Sequence, residues 1–254
     1  MTSNDPANSD AGFTIVGHRG AMAQVLENTI ASFRAAENAG CRELELDVRP
    51  SADGRIVISH DRTLDRVVAG DEGRGMGPVD ELEWRVICRV ELRDGHRVHT
   101  FEEVFEATTV FLQVEIKDPA VVPLLVDAAR RLPTFAERVR LTSFDADALV
   151  QARDQLPQIP RGLILGRLPA EEVHPEGLES ALQRTGAGAL YCGWEGLTPE
   201  LVEAQHAAGR QVHGWPTRSP EHMQRALALG LDGTTVDDPE AAFAWFERAR
   251  AATA

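Results

Sequence analysis

Three carboxylates, two histidines and two cations stand in or beside short apolar segments of this chain. Glu45 and Asp47 lie two residues apart in RELELDV at 42–48, so as strand side chains they share a face. Leu44, Leu46 and Val48 take the other face, which should pack on helices. The acids then face inward, where unpaired charge costs several kcal/mol. Glu115 and Lys117 repeat the spacing at the end of VFLQVEI (110–116). His18 and Arg19 follow FTIVG (13–17), and His60 and Asp61 follow RIVIS (55–59). If the segments converge, Glu45, Asp47 and Glu115 repel one another unless a cation sits between them. Hard oxygen ligands suit Mg²⁺ or Ca²⁺ rather than Zn²⁺. Imidazole takes or gives a proton near neutral pH, which suits His18 and His60 to acid–base work. Arg19 offers a planar fork to a phosphate or carboxylate, and Lys117 can neutralise a carboxylate or touch the same anion.

Strands ending at one mouth would bring these groups together. Further strand candidates are VRLTS (139–143), RGLIL (161–165), GALYC (188–192), QVHGW (211–215) and DGTTV (232–236). That makes nine, and Asp53-Gly54 between the second and third is a strong hairpin signal. The third strand is therefore expected to fold back on the second, leaving eight for a parallel barrel. Helices separate them. Thr198-Pro199-Glu200, Ser219-Pro220-Glu221 and Asp238-Pro239-Glu240 each join a capping side chain, a proline at the first helical position and an acid suited to the helix dipole. Gly40, Gly209 and Gly230 are placed to end helices, and Thr100 with Glu103 forms a capping box. The expected fold is an α/β (β/α)8 barrel with a small insertion after the second strand. Its reactive groups belong at the strands' C-terminal ends. The expected organisation is a tail at 1–12, one catalytic domain at 13–247 with an insertion at about 61–99, and a second tail at 248–254.

Composition narrows the partners. The chain has 254 residues, enough for a single core, with 40 acidic against 26 basic residues and a formal charge of −14. Such a surface argues against broad binding to nucleic acid or anionic membrane. No apolar run is long enough to span a membrane, and the first residues lack the pattern of a signal peptide. Cys41, Cys88 and Cys192 show no metal spacing, which predicts free thiols and a cytoplasmic location. A small-molecule substrate is expected, with a homodimer as a further option.

The motifs GHRG (17–20), ENT (27–29), ELDV (45–48), SHD (59–61), VEIK (114–117), SF (143–144), Trp215 and GLDGTTVDDP (230–239) appear in this order. From about residue 13 to 245 the chain resembles the glycerophosphodiester phosphodiesterase family. The resemblance implies a TIM barrel that hydrolyses glycerophosphodiesters to sn-glycerol 3-phosphate and an alcohol. It implies Glu45, Asp47 and Glu115 as ligands of a divalent metal, and His18 and His60 as the acid–base pair. Arg19 and Lys117 correspond to positions near the phosphate, and Glu27 to a position close to the metal. Trp215 would wall the glycerol or alcohol group. Gln113 stands where the family usually has Asn, VHTFEE (98–103) replaces a more usual Ile-Pro-Thr-Leu-Glu-Glu, and Pro216 interrupts the phrase around Trp215. The last two departures touch the rim and insertion. The alternatives are a lysophospholipase D or sphingomyelinase-D-like lipid phosphodiesterase, for which the apolar stretch at 82–90 is the one candidate rim, a non-catalytic phosphodiester-binding barrel, and an enolase-type lyase or racemase. His96, His99, His174, His206 and His222 are expected at the surface or in packing, as are Trp84, Trp194 and Trp245, while His213 is an inward strand candidate.

Overall fold

A computed structural model describes residues 12–168 and 177–253. All nine expected strands form: β1 (Thr14–Gly17), β2 (Glu43–Pro50), β3 (Ile56–Ile58), β4 (Phe111–Ile116), β5 (Val139–Ser143), β6 (Arg161–Leu165), β7 (Ala189–Cys192), β8 (Gln211–Thr217) and β9 (Gly233–Val236). Their order is β1-β9-β8-β7-β6-β5-β4-β2-β3, and a β1–β2 pairing closes the ring. Eight strands run parallel, while β3 is antiparallel to β2, with Val48 opposite Ile58 and Pro50 opposite Ile56. Asp53-Gly54 makes that reversal. Ser51 Oγ donates to Asp53 Oδ1 at 2.7 Å and accepts from the Arg55 amide at 2.9 Å. The fold is the (β/α)8 barrel.

The closing seam is short. β1 and β2 are in register only at Val16–Glu43 and Gly17–Leu44, whereas β2 follows β4 from Glu43–Phe111 to Val48–Ile116. That register sets Asp47 beside Glu115. Leu44, Leu46 and Val48 are fully buried in the outer core, and Glu43, Glu45 and Asp47 are buried on the opposite face. A parallel strand with both faces covered explains why the acids are enclosed.

Ten helices occur among the described residues: α1 (Ile30–Ala39), α2 (Trp84–Ile87), α3 (Phe101–Ala107), α4 (Val122–Arg131), α5 (Phe135–Arg138), α6 (Ala146–Gln155), α7 (Leu178–Thr185), α8 (Pro199–Ala207), α9 (Pro220–Ala228) and α10 (Pro239–Thr253). Thr198 and Ser219 cap α8 and α9 through the amides of Leu201 and His222. Asp238 accepts from the Ala241 amide at 3.0 Å. The capping box of α3 is present. The last helix continues to Thr253, so residues 248–253, expected as a tail, are helical. Its polar surface, with Arg248 and Arg250, hid a helical face whose Ala249 is buried.

Residues 61–99 form short turns and α2 around their own apolar cluster. Leu64, Val68, Val79, Ile87, Val90, Leu92 and Val98 pack there with Leu26 and Val57. Within the apolar stretch at 82–90, Leu82, Ile87 and Val90 pack into this cluster. All three cysteines are free, two of them buried. No described helix is long and apolar enough to cross a membrane. His174 lies outside the described residues.

Candidate active site

Glu45, Asp47 and Glu115 meet at the C-terminal mouth of the barrel, each offering an oxygen within 4.8 Å of the others. All three are buried, Asp47 completely. Glu45 Oε1 and Asp47 Oδ1 have no hydrogen-bond partner among the described residues. Burial, then Asp47 and Glu115, push the Glu45 carboxyl well above its usual range. Burial and Asp47 raise Glu115 to about 7 against the pull of Lys117. Asp47 goes down, because burial is outweighed by Lys117, Arg19 and His60.

The loop after β1 brings in Arg19. Its backbone, at φ 50°, points the Arg19 amide at Glu45 Oε2, 2.9 Å away. Arg19 Nε lies 3.2 Å from Asp47 Oδ2. Gly20 follows at φ 87°, where a Cβ would stand 2.5 Å from the Ser32 backbone, so the loop can press on α1 only as glycine. Asn28 supports the second carboxylate, donating from Nδ2 to Asp47 Oδ2 at 2.7 Å and accepting from the Asp47 amide at 3.3 Å. Lys117 Nζ donates to Glu115 Oε1 at 2.7 Å and lies 3.5 Å from Asp47 Oδ1. Burial works against its charge, but Asp47 and Glu115 outweigh that and raise its pKa.

Each histidine is backed by an aspartate. His18 Nδ1 donates to Asp237 Oδ1 at 2.6 Å, and the other oxygen accepts from Arg218 Nε at 2.5 Å. Burial would raise Asp237, yet these two donors bring it down to about 2. His60 Nδ1 donates to Asp61 Oδ1 at 2.6 Å. Burial lowers the His60 pKa and outweighs the opposing pull of Asp47. With Nδ1 engaged, Nε2 is the nitrogen each ring has left for proton transfer.

His18, His60, Glu45, Glu115, Arg19 and Lys117 line one open pocket. Its other wall is apolar: Trp215 stands edge-on to Phe144 with centroids 5.5 Å apart, and packs on Ile164, Ala189 and Tyr191. Glu27, expected close to the metal, gives both oxygens to arginines, Oε1 to Arg19 Nη1 at 2.9 Å and both to Arg66 at 2.6 and 2.8 Å, and Arg19 links it to Asp47. These arginines hold its pKa down against burial.

Beneath the pocket, His213 is buried against Tyr191, and burial, then Arg140, lower it to about 3. It is neutral packing. His206 pairs with Asp232, and His222 stacks on Trp194. Sequence reasoning gave no role to Asp237, Arg218, Asn28, Arg66 or Phe144. The signal for Asp237 was its position just after β9, where barrel chemistry sits. Nothing local marked Arg66 or Arg218.

Comparisons with known proteins agree with this fold. The profile of the glycerophosphoryl diester phosphodiesterase family matches residues 18–241. A glycerophosphodiester phosphodiesterase from Caldanaerobacter subterraneus subsp. tengcongensis is 31% identical over 237 residues, covering 89% of this chain and 94% of its own. A solved Silicibacter pomeroyi structure assigned to the same family superposes with a TM-score of 0.84 at 26% identity, covering 93% of both chains. An Oleispira antarctica phosphodiesterase, solved with sn-glycerol 3-phosphate, shares the fold with a TM-score of 0.82 at 23% identity over 92% of this chain and 96% of its own. The chain therefore belongs to the glycerophosphoryl diester phosphodiesterase family.

Proposed function

We propose that this enzyme hydrolyses glycerophosphodiesters to sn-glycerol 3-phosphate and an alcohol, using a divalent cation and the histidine pair His18 and His60. The observation that carries the reading is three buried carboxylates flanked by two aspartate-backed histidines around one pocket. The donor set suits a hard cation such as Mg²⁺ or Ca²⁺: all oxygen, with Glu45 Oε1 and Asp47 Oδ1 buried and accepting no hydrogen bond among the described residues. When bound, that cation supplies Lewis-acid stabilisation of charge developing on phosphoryl oxygen.

The protein's own groups do the rest. Lys117 and Arg19 border the space for the phosphate, although Arg19 is already engaged with Glu27 and Asp47 and chiefly holds the carboxylates in place. One histidine takes the proton of the nucleophile, water or the glycerol 2-hydroxyl, and the other returns one to the departing alcohol; on the second route water then opens the cyclic phosphodiester to give the monoester. Asp237 and Asp61 keep both rings in the tautomer with Nε2 available. Trp215 and Phe144 give the organic part an apolar wall and shield the site from water on that side. A lipid substrate is less well supported, because Ile87 and Val90 of the proposed rim are buried in the insertion's own cluster. The free cysteines support a reducing, cytoplasmic setting.

The test is turnover of glycerophosphocholine, glycerophosphoethanolamine and glycerophosphoglycerol by metal-stripped enzyme, with Mg²⁺ or Ca²⁺ added back. Release of glycerol 3-phosphate only after add-back is expected. Undiminished turnover in chelator, or release of a phosphomonoester of the head group instead, would reject the reading.

A further inference from the structure

We propose that Arg66, carried by the insertion, is a positioning residue that sets His60 and Arg19 together, acting through Asp61 and Glu27. The inference rests on the phosphodiesterase reading above. One guanidinium makes three hydrogen bonds to two carboxylates. Its Nε donates to Asp61 Oδ2 at 2.6 Å, Nη1 to Glu27 Oε2 at 2.6 Å and Nη2 to Glu27 Oε1 at 2.8 Å. Each carboxylate then reaches on to a residue that lines the pocket. Asp61 Oδ1 accepts from His60 Nδ1 at 2.6 Å, and Glu27 Oε1 accepts from Arg19 Nη1 at 2.9 Å. Both carboxylates are bridges with Arg66 at one end. A planar fork suits this task, because its donors diverge at fixed angles toward two acceptors, whereas an ammonium is a single point.

The insertion decides where that fork stands. Leu64 and Val68, on either side of Arg66, are buried in the cluster of the insertion. The Val67 and Val68 amides both return to the Leu64 carbonyl, at 2.9 and 3.2 Å, closing a tight turn around Arg66. The hydrogen bonding of Arg66 to Glu27 heads the causes that raise the Arg66 pKa. Asp61 lies below its usual range because Arg66 and His60 outweigh burial. All three bridging charges therefore persist through the neutral range. The packing of residues 61–99 is thereby transmitted to the barrel mouth.

The Arg218–Asp237–His18 chain is a built-in comparison. There too an arginine backs the aspartate of a histidine, but Arg218 comes from the end of β8 and holds no second carboxylate among its described bonds. Arg66 differs in tying two separate parts of the site to one point.

The experiment uses Arg66→Ala, Arg66→Lys and, as a control in the same insertion, Arg62→Ala, which loses exposed pairs to Asp80 and Glu81. All are assayed metal-loaded on glycerophosphocholine. Misplacing a reacting group by about 1 Å can cost about 10²-fold, so Arg66→Ala should lower kcat by about 10- to 100-fold with KM changed by less than about threefold. Arg66→Lys should recover part of this, and Arg62→Ala should keep the wild-type kcat. Adding Asp61→Ala to Arg66→Ala should cost much less than the sum of the single losses, because both act through one bridge. Proton NMR gives a reading independent of turnover: the downfield His60 Nδ1–H resonance should broaden or vanish in Arg66→Ala. A wild-type kcat in Arg66→Ala, additive losses with Asp61→Ala, equal damage from Arg62→Ala, or a retained His60 resonance would each overturn the proposal. If the wild-type protein left every glycerophosphodiester intact, the substrate reading would fall while the resonance still decided the role of Arg66.

Discussion

In metal-free protein, Glu115→Gln should remove a destabilisation that grows with pH, and its size follows from the surroundings of that carboxylate. Burial and the Asp47 charge raise Glu115 from an ordinary 4.5 to about 7. A group with the higher pKa in the folded state binds its proton more tightly when folded. It favours folding while protonated, and stability falls as pH rises through the window from 4.5 to about 7. At about 1.4 kcal/mol per pH unit, that window amounts to about 3 kcal/mol. Glutamine does not ionise, so the stability of Glu115→Gln relative to wild type should improve by about 3 kcal/mol on going from acid to mildly alkaline pH. Asp47→Asn carries the opposite sign. Its carboxyl is lowered because Lys117, Arg19 and His60 outweigh burial. The stability it provides is present above the unfolded pKa and is lost as pH falls through the folded one. Removing that charge at neutral pH leaves Arg19 and Lys117 short of a partner, and breaking a buried pair costs about 3 to 5 kcal/mol. Urea denaturation of EDTA-treated wild type and both variants across this pH range measures each effect. Parallel pH curves for Glu115→Gln and wild type, or an Asp47→Asn protein as stable as wild type at neutral pH, would refute the electrostatic account.

Glu45→Ala and Glu115→Ala should abolish activity and weaken divalent binding, because two carboxylates hold a hard cation poorly; unchanged affinity by calorimetry would remove them from the ligand set. Loss of the general acid should reduce turnover of alkyl diesters by about 10²- to 10⁴-fold while sparing a nitrophenyl ester, and loss of the general base should harm both. His18→Ala and His60→Ala should divide these two patterns between them, and wild-type rates on alkyl diesters in either would rule out a two-histidine mechanism. Asp237→Asn should keep the fold yet lower kcat by about 10²- to 10⁴-fold, since an amide no longer enforces the His18 tautomer, and a wild-type kcat would free His18 from that dependence.

The barrel was legible because each of its rules is local. Period-two alternation marked β2 and β4, the repeated cap-proline-acid phrase marked α8, α9 and α10, and Asp53-Gly54 resolved the surplus strand. The inward direction of Glu45 and Asp47 followed from Leu44, Leu46 and Val48 needing the other face. What stayed hidden was set by pairing across long separations. Asp237 meets His18 over 219 positions and Arg66 meets Glu27 over 39, and side-chain bonds of that span leave no periodicity. The segment of Glu27 suggested a place close to the metal, but not the two arginines that hold its oxygens. The helical end of α10 was missed because its arginines and alanines carry no stop signal that differs from a solvated tail.

The short seam between β1 and β2 gives the barrel the mechanics of a split ring. Beyond Gly17 and Leu44 the two strands part, and two fasteners replace the missing ladder: the Arg19 amide on Glu45, and the Asn28 amide group on Asp47. A ring yields at its gap, so breathing of the wall should concentrate there rather than between β2 and β4. The fasteners grip the same carboxylates that face the pocket. Charge at the mouth and stiffness of the wall are thus one variable, and amide exchange at Asp47 is a strain gauge for the site's occupancy.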